Sequence, residues 1–212
     1  LFPNGVDLEM FTPEKPDSFL KKELGIPEDR FVVGYGGNHG RSQALEQVLE
    51  AAKILRNEKI FFALFGDGSE KPALEKKVSE AGLDNIRFYP SQPRKKMSQV
   101  QASWDIALVP LRDIPLFDGA RPSKMFELMA GQVPFIFCGQ GEGADIALKS
   151  GCAKVVPPEN PEKLAEAVGE FAKLAKGDLA RIGEKGRLFV SENFNRAVLA
   201  DKFMKELEES IK

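Results

Sequence analysis

Cysteine and histidine are scarce in this chain, and their scarcity excludes much chemistry at once. Its 212 residues include two cysteines, Cys138 and Cys152, and one histidine, His39. The cysteines lie in or beside apolar stretches without metal-type spacing, so they read as buried thiols of a reducing compartment rather than zinc ligands or a disulfide. The lone histidine has no partner base, nucleophile or metal cluster in view. An excess of one charge is lacking too. Against 32 Asp and Glu stand 30 Lys and Arg, a net charge of −2, which removes the broad basic field that nonspecific nucleic-acid binding requires. Any anion site must therefore be local. No apolar run approaches the roughly 18 residues that span a bilayer, and none reads as the core of a secretory signal. The expected setting is cytoplasmic.

What the sequence does have is a series of short apolar runs rich in β-branched and aromatic residues. They are FVVGYGG (31–37), IFFALFGDG (60–68), NIRFYP (85–90), DIALVPL (105–111), VPFIFCG (133–139) and AKVVPP (153–158). The runs are continuous rather than alternating, the pattern of strands buried on both faces. Helical patterns fall between them at 42–56, 70–81, 95–102, 122–130 and 143–149, and three more follow at 161–176, 178–192 and 196–211. This alternation predicts an α/β fold: a Rossmann-like parallel sheet of about six strands with helices on both faces and a C-terminal helical tail. With 42% hydrophobic residues, no repeat and no internal linker, residues 1–212 read as one domain. Open parallel sheets bind ligands beyond the carboxyl ends of their strands. The expected site is therefore built from residues 36–41, 66–69, 89–93, 111–124 and 139–142.

On that edge, RPSKMFELMAGQVP (121–134) contains a helix whose start carries cations. Pro122 suits the first helical position and Gly131 the exit. Yet Arg121 and Lys124 occupy the positive end of the helix dipole, where acids are preferred. The turn NHGRSQ repeats the pattern with His39 and Arg41, whereas the helices that begin near Glu70, Glu142 and Glu162 obey the rule. Amides at a helix start, joined by guanidinium and ammonium groups, form a phosphate or diphosphate site; solvated surface charge is the alternative. Arg94, Lys95 and Lys96 begin a further helix, and exposed surface charge is the expectation for that run. Gly34, Gly36, Gly37 and Gly40 let backbone approach a bound group closely. His39 stands where the last glycine of GxGxxG would be, and no GK[ST] follows the GDG at 66–68, so neither a dinucleotide fingerprint nor a P-loop is present.

Glu127 shares a helix face with Ser123 and Lys124. Its carboxylate either accepts hydrogen bonds from vicinal hydroxyls such as those of ribose, or pairs locally with Lys124. His39 reads as a loop hydrogen-bonder or a contact to phosphate or sugar. Asp118, in LRDIPLFDGA, either orients a sugar hydroxyl or caps a turn.

Taken together these residues resemble the donor-binding, C-terminal half of retaining GT-B glycosyltransferases of glycosyltransferase family 4. The resemblance covers essentially the whole chain, through NGVDLEMF, VGYGGNHG, LFGDGSEKPAL, NIRFYP, DIALVPL, PSKMFELMAGQVP, GEGADI, KLAEAV and GEKGRLFVSENF. PSKMFELMAGQVP together with GNHGRSQAL is similar to bacterial enzymes that build surface polysaccharides, including N-acetyl-fucosamine-type transferases. The resemblance implies that Glu127 binds the ribose hydroxyls of a nucleotide-sugar, expected to be UDP-linked. The helix end at Pro122–Lys124, with Ser123 in it, and the turn at Gly36 and Gly37 would hold its diphosphate. The base would lie against residues 88–91, Tyr89 among them, and the sugar near Asp118, Gly119 and His39. His39 and Asp118 are then the candidates for catalysis. Transfer would retain the anomeric configuration, with the leaving nucleoside diphosphate stabilised electrostatically and without a metal or other cofactor.

The chain departs from the family pattern at two places. The pattern has two acids with seven residues between them; Glu127 is the second, and the first falls on Gly119, one place from Asp118. The usual Arg and Lys of the first-strand turn fall on Asn38 and Gln43, which leaves Arg41 and Lys124 as expected substitutes, with Arg121 beside them. GT-B enzymes close two such domains around a cleft. The resemblance therefore also implies an acceptor-binding half before Leu1, a glycan or lipid-linked acceptor, peripheral membrane association through that half, and a last helix that crosses back toward it. Two other readings stay open: a noncatalytic nucleotide-binding or partner-binding domain, and a nucleotide-sugar epimerase or phosphorylase of the same two-lobed fold.

Overall fold

The computed structural model of the protein describes residues 4–14 and 18–210. The first residues of the strand end expected at the start of the chain, and the last residue of the expected final helix, lie outside that range.

All six apolar runs form strands: β1 (Phe31–Gly36), β2 (Ile60–Phe65), β3 (Ile86–Tyr89), β4 (Ile106–Pro110), β5 (Phe135–Cys138) and β6 (Ala153–Val156). Every pairing is parallel and the strand order is β3-β2-β1-β4-β5-β6. β1 therefore stands between β2 and β4, with Val33 opposite both Phe62 and Ile106. The chain winds outward in both directions from that pair, so a crevice opens beyond the carboxyl ends of β1 and β4.

Strand alternation divides the core in two. Val32, Phe61, Ala63, Phe65, Ala107, Phe135 and Phe137 pack on one face with Met125, Phe126, Ala147 and Val190. Val33, Tyr35, Phe62, Leu64, Ile106, Leu108 and Ile136 pack on the other with Val48, Leu74, Leu164 and Phe171. Burial on both faces is why the strands show no polar alternation. The helices on those faces are α1 (Ser18–Glu23), α2 (Glu46–Ile54), α3 (Lys71–Glu80), α4 (Met97–Gln101), α5 (Ser123–Ala130), α6 (Gly141–Lys149) and α7 (Pro161–Ala172), followed by α8 (Lys176–Asn193) and α9 (Arg196–Ser210). Six-residue α1 has no counterpart in the sequence reading, because its SFLKKE is too short to show a period.

Several boundaries move for physical reasons. The helix expected at 42–56 begins only at Glu46: Arg41–Gln43 is a 3₁₀ turn closed by left-handed Ala44, φ 43°. Arg41 is thus not at an α-helix start. The helix expected at 95–102 divides into a 3₁₀ turn, Arg94–Lys96, and α4. Pro122 caps α5 with φ −57° and ψ 125° rather than occupying its first turn. At the other end of α5 the left-handed residue is Gln132, φ 58°, not Gly131. Amides of Gln132 and Val133 donate to the carbonyls of Met129 and Leu128, at 3.2 and 2.9 Å, closing the helix as a Schellman motif.

The N-terminal segment is tied down by α4, α5 and α8. Arg187 Nη1 donates to the carbonyls of Phe11 (2.7 Å) and Ala130 (2.6 Å), and Ser98 Oγ donates to that of Met10 (2.9 Å). Val6 forms a parallel bridge with Asn195.

Candidate functional site

The carboxyl edge of β1 ends in a turn that admits only glycine at one point. Gly37 has φ +146°, and a Cβ there would stand 2.8 Å from Lys124 Nζ. Lys124, in the first turn of α5, reaches back over the Tyr35 ring with Nζ 4.1 Å from the ring centroid. Burial pulls its ammonium from the ordinary 10.5 down to about 8, and Glu127 acts in the opposite direction. Among the described residues, no carboxylate lies within 4 Å of this Nζ and no hydrogen bond satisfies it. No side chain caps the start of α5 either. A desolvated cation without a counter-ion, beside uncapped helix amides, is an anion-accepting arrangement.

Glu127 lies one turn further along α5, its side chain 18% exposed. It does not form the local pair with Lys124. Its Oε1 accepts instead from Arg94 Nη2 at 2.8 Å, and the Arg94 guanidinium lies over the Phe11 ring, 5.5 Å from the centroid. Arg94, Lys95 and Lys96 are exposed as expected, yet Arg94 also pairs with a carboxylate of the crevice. A crevice of about 250 Å³ is lined by Gly36, Gly37, Arg94, Met97, Lys124 and Glu127 with Gln92, Trp104 and Leu128. A second hollow of about 230 Å³, lined by Gly37, Asn38, Gly66, Asp67, Ser91 and Gln92, shares Gly37 and Gln92 with it. The two run from the loops after β2 and β3, past the β1 turn, to α5. Lys71, not singled out from the sequence, ties two of these loops together by donating to the carbonyls of Gly66 (2.9 Å) and Tyr89 (3.3 Å).

Other candidates are placed differently from expectation. His39 is fully buried, its ring between those of Tyr35 and Phe88 at 5.6 Å from each. Its backbone, not its ring, fastens the turn: the amide donates to Asp67 O (2.8 Å) and the carbonyl accepts from Glu70 N (2.9 Å). Among the described residues neither ring nitrogen has a partner at full hydrogen-bonding geometry, and the Phe65 backbone interacts with the ring only weakly against burial. Burial, reinforced by Lys71, pulls the ring pKa down to about 4 and keeps it neutral. His39 lines neither hollow, so the geometry does not bring it to a ligand. Tyr89 is likewise buried, its ring stacked on Phe65 at 4.4 Å; Ser91 and Gln92 take its place at the surface.

Two of the expected phosphate cations already have partners. Arg121 Nε lies 2.6 Å from Glu142 Oε2 at the start of α6, and exposed Arg41 lies 3.6 Å from Glu70. The acids that made neighbouring helices look normal are the ones that answer these cations. Ser123 and Asn38 are exposed at the edge. Asp118 is exposed, accepts from Gln140 Nε2 (3.0 Å), and its carbonyl accepts from Glu142 N (2.7 Å). A side chain at Gly119 would meet nothing within 4 Å, so the position that is acidic in the family pattern is open space. Both cysteines are free and buried. Among the described residues no group of three or more His, Cys, Asp or Glu is arranged to hold a metal ion.

This fold and edge have counterparts among known proteins. Residues 17–189 match the family described as Glycosyl transferases group 1. WcaI of Escherichia coli (strain K12), named for colanic acid biosynthesis, is 28% identical over 205 residues, covering 94% of this chain and 50% of that protein. WbjE of Pseudomonas aeruginosa, which carries a glycosyltransferase name, is 30% identical over 185 residues, 85% of this chain and 45% of that one. The chain thus spans about half the length of these relatives. The structure of Anabaena Alr3699/HepE in complex with UDP and glucose superposes with a TM-score of 0.83 at 17% identity, over 98% of this chain and 56% of that one, a likeness of fold. The sheet order, the crevice at its switch point and a family match along most of the sequence agree, and the chain belongs to the group 1 glycosyl transferases.

Proposed function

We propose that this chain is the donor-binding half of a retaining GT-B glycosyltransferase of family 4, and that its β1/β4 crevice holds a UDP-sugar. The observation that carries the reading is Lys124: a half-buried, partly desolvated ammonium with no counter-ion among the described residues, set against Gly37 and beside Glu127. In this reading the diphosphate takes the place of the missing counter-ion, held by Lys124, the amides of Ser123 and Lys124, and the turn at Gly36 and Gly37. Glu127 accepts hydrogen bonds from the ribose hydroxyls. The base occupies the hollow between Asn38 and Ser91, and the sugar extends toward Asp118 and Gly119, where open space suits a bulky substituent. Leaving-group charge is stabilised by fixed donors, without a resident cofactor.

That Alr3699/HepE was solved with UDP and with UDP-glucose supports the choice of donor, and the name of WcaI supports a role in bacterial surface polysaccharide synthesis. The acceptor, a glycan or a lipid-linked sugar, belongs in this proposal to a second half that also gives contact with the cytoplasmic face of the membrane. Among the described residues no helix is long and apolar enough to cross a membrane.

The test is calorimetric titration of UDP, GDP, UMP and NAD into this chain and into Glu127→Ala. UDP is expected to bind most tightly, NAD not at all, and the substitution to weaken UDP by roughly tenfold or more, the value of one charge-assisted hydrogen bond. Absence of UDP binding, or UDP binding indifferent to Glu127, would remove the donor assignment.

A further inference from the structure

A carboxylate that must recognise two adjacent hydroxyls has an orientation problem. Glutamate turns about three side-chain bonds, and each rotation frozen only on binding subtracts from affinity. The structure shows what restrains this one. Arg94 Nη2 donates to Glu127 Oε1 at 2.8 Å, within the range of a charge-assisted bond. Lys124, one turn back on the same helix, is not within ion-pair distance, so among the described residues Arg94 is the carboxylate's ion-pair partner. The second oxygen and the remaining lone pairs are left to the crevice that both side chains line.

Arg94 is itself 56% exposed and would swing freely if nothing held it. Its guanidinium lies over Phe11, a planar contact that a lysine ammonium does not reproduce. Phe11 is fully buried, and its carbonyl is bound by Arg187 at 2.7 Å. Pro93 and the 3₁₀ turn of Arg94–Lys96 restrict the backbone from the other side. The restraint thus runs from the core, through the Phe11 ring and a guanidinium, to the carboxylate.

We infer that Arg94 is a positioning residue, which presets Glu127 for a vicinal diol and does not itself touch the nucleotide. The inference rests on the reading of Glu127 as the ribose ligand. It makes Arg94 matter only as far as the ligand carries both hydroxyls.

Calorimetry with UDP and with 2′-deoxyuridine diphosphate tests it on the intact chain, on Arg94→Ala, on Arg94→Lys and on Glu127→Ala, with thermal melting to show that each variant is folded. The native chain is expected to favour UDP by about tenfold, the value of one hydrogen bond to a charged group. Glu127→Ala abolishes the preference. Arg94→Ala reduces it to about twofold or less, weakening the deoxy compound, which keeps only the 3′-hydroxyl, much less than UDP, and Arg94→Lys gives a value in between. A preference lost in Glu127→Ala but intact in Arg94→Ala overturns the positioning role and leaves the donor site standing. Equal weakening of both ligands by Arg94→Ala also overturns it, because Arg94 would then contact base or phosphate directly. A native chain that binds UDP without preference, or not at all, removes the ribose assignment and the inference with it.

Discussion

Lys124 sits where burial works against its charge, and that cost has a measurable use. Lys124→Ala is expected to weaken UDP binding by about 1.5–3 kcal/mol while leaving uridine nearly unaffected, as for any lost charge-assisted contact; calorimetry with the two ligands separates them. The pH dependence follows in sign. The ammonium titrates near 8 in the free chain, and a diphosphate needs it protonated, so binding above pH 8 takes up a proton and affinity falls as pH rises, by at most about tenfold per unit. His39 gives the opposite trend in stability. It titrates near 4 when folded and near 6.5 unfolded, so between those values the unfolded chain binds more protons. Stability is therefore expected to drop as pH falls through that window, by up to about 1.4 kcal/mol per unit. Urea melts at pH 7 and pH 5 should show this slope in the native chain and lose it in His39→Phe. That Glu127 and Lys124 stand at the crevice was legible from helical spacing and the dipole rule. Arg94 was not, since it lies 33 residues from its partner inside a run that looks like surface charge.

At the scale of elements, the start of α5 shows why a helix cannot be judged alone. Arg121 and Glu142 looked like a violation and an observance of the dipole rule on separate helices, yet they are one pair between the adjacent starts of α5 and α6. Sequence spacing carries no information about that adjacency; the parallel sheet creates it. The exit of α5 falls at Gly131 as expected, but the Schellman closure puts the next residue, Gln132, in the left-handed region, where a side chain costs roughly 1–2 kcal/mol. Gln132→Gly is accordingly expected to raise stability by about 1 kcal/mol, whereas Gly131→Ala changes it little, in denaturant melts of the two variants. The six strands were legible because continuous β-branched and aromatic runs leave little ambiguity when each is followed by a glycine or proline. The 3₁₀ turns and α1 were not, because three to six residues hold no period to read.

Over the whole molecule, the sheet places Gly37 and Lys124 on either side of the switch between β1 and β4, and fold class and site location follow from that topology. Catalysis does not follow from one such domain, because a cleft needs a second wall to exclude water and present an acceptor. This chain alone is therefore expected to bind UDP and to transfer sugar far below about 1 per second, the slow end of ordinary enzymes; a coupled assay of UDP release with acceptor present would check it. A crystal structure of this chain grown with UDP locates the nucleotide. Both ribose hydroxyls are expected within about 3 Å of the Glu127 carboxylate, and the diphosphate against Lys124 and the start of α5. UDP seated away from the β1/β4 crevice, with Glu127 and Lys124 untouched, would contradict this placement.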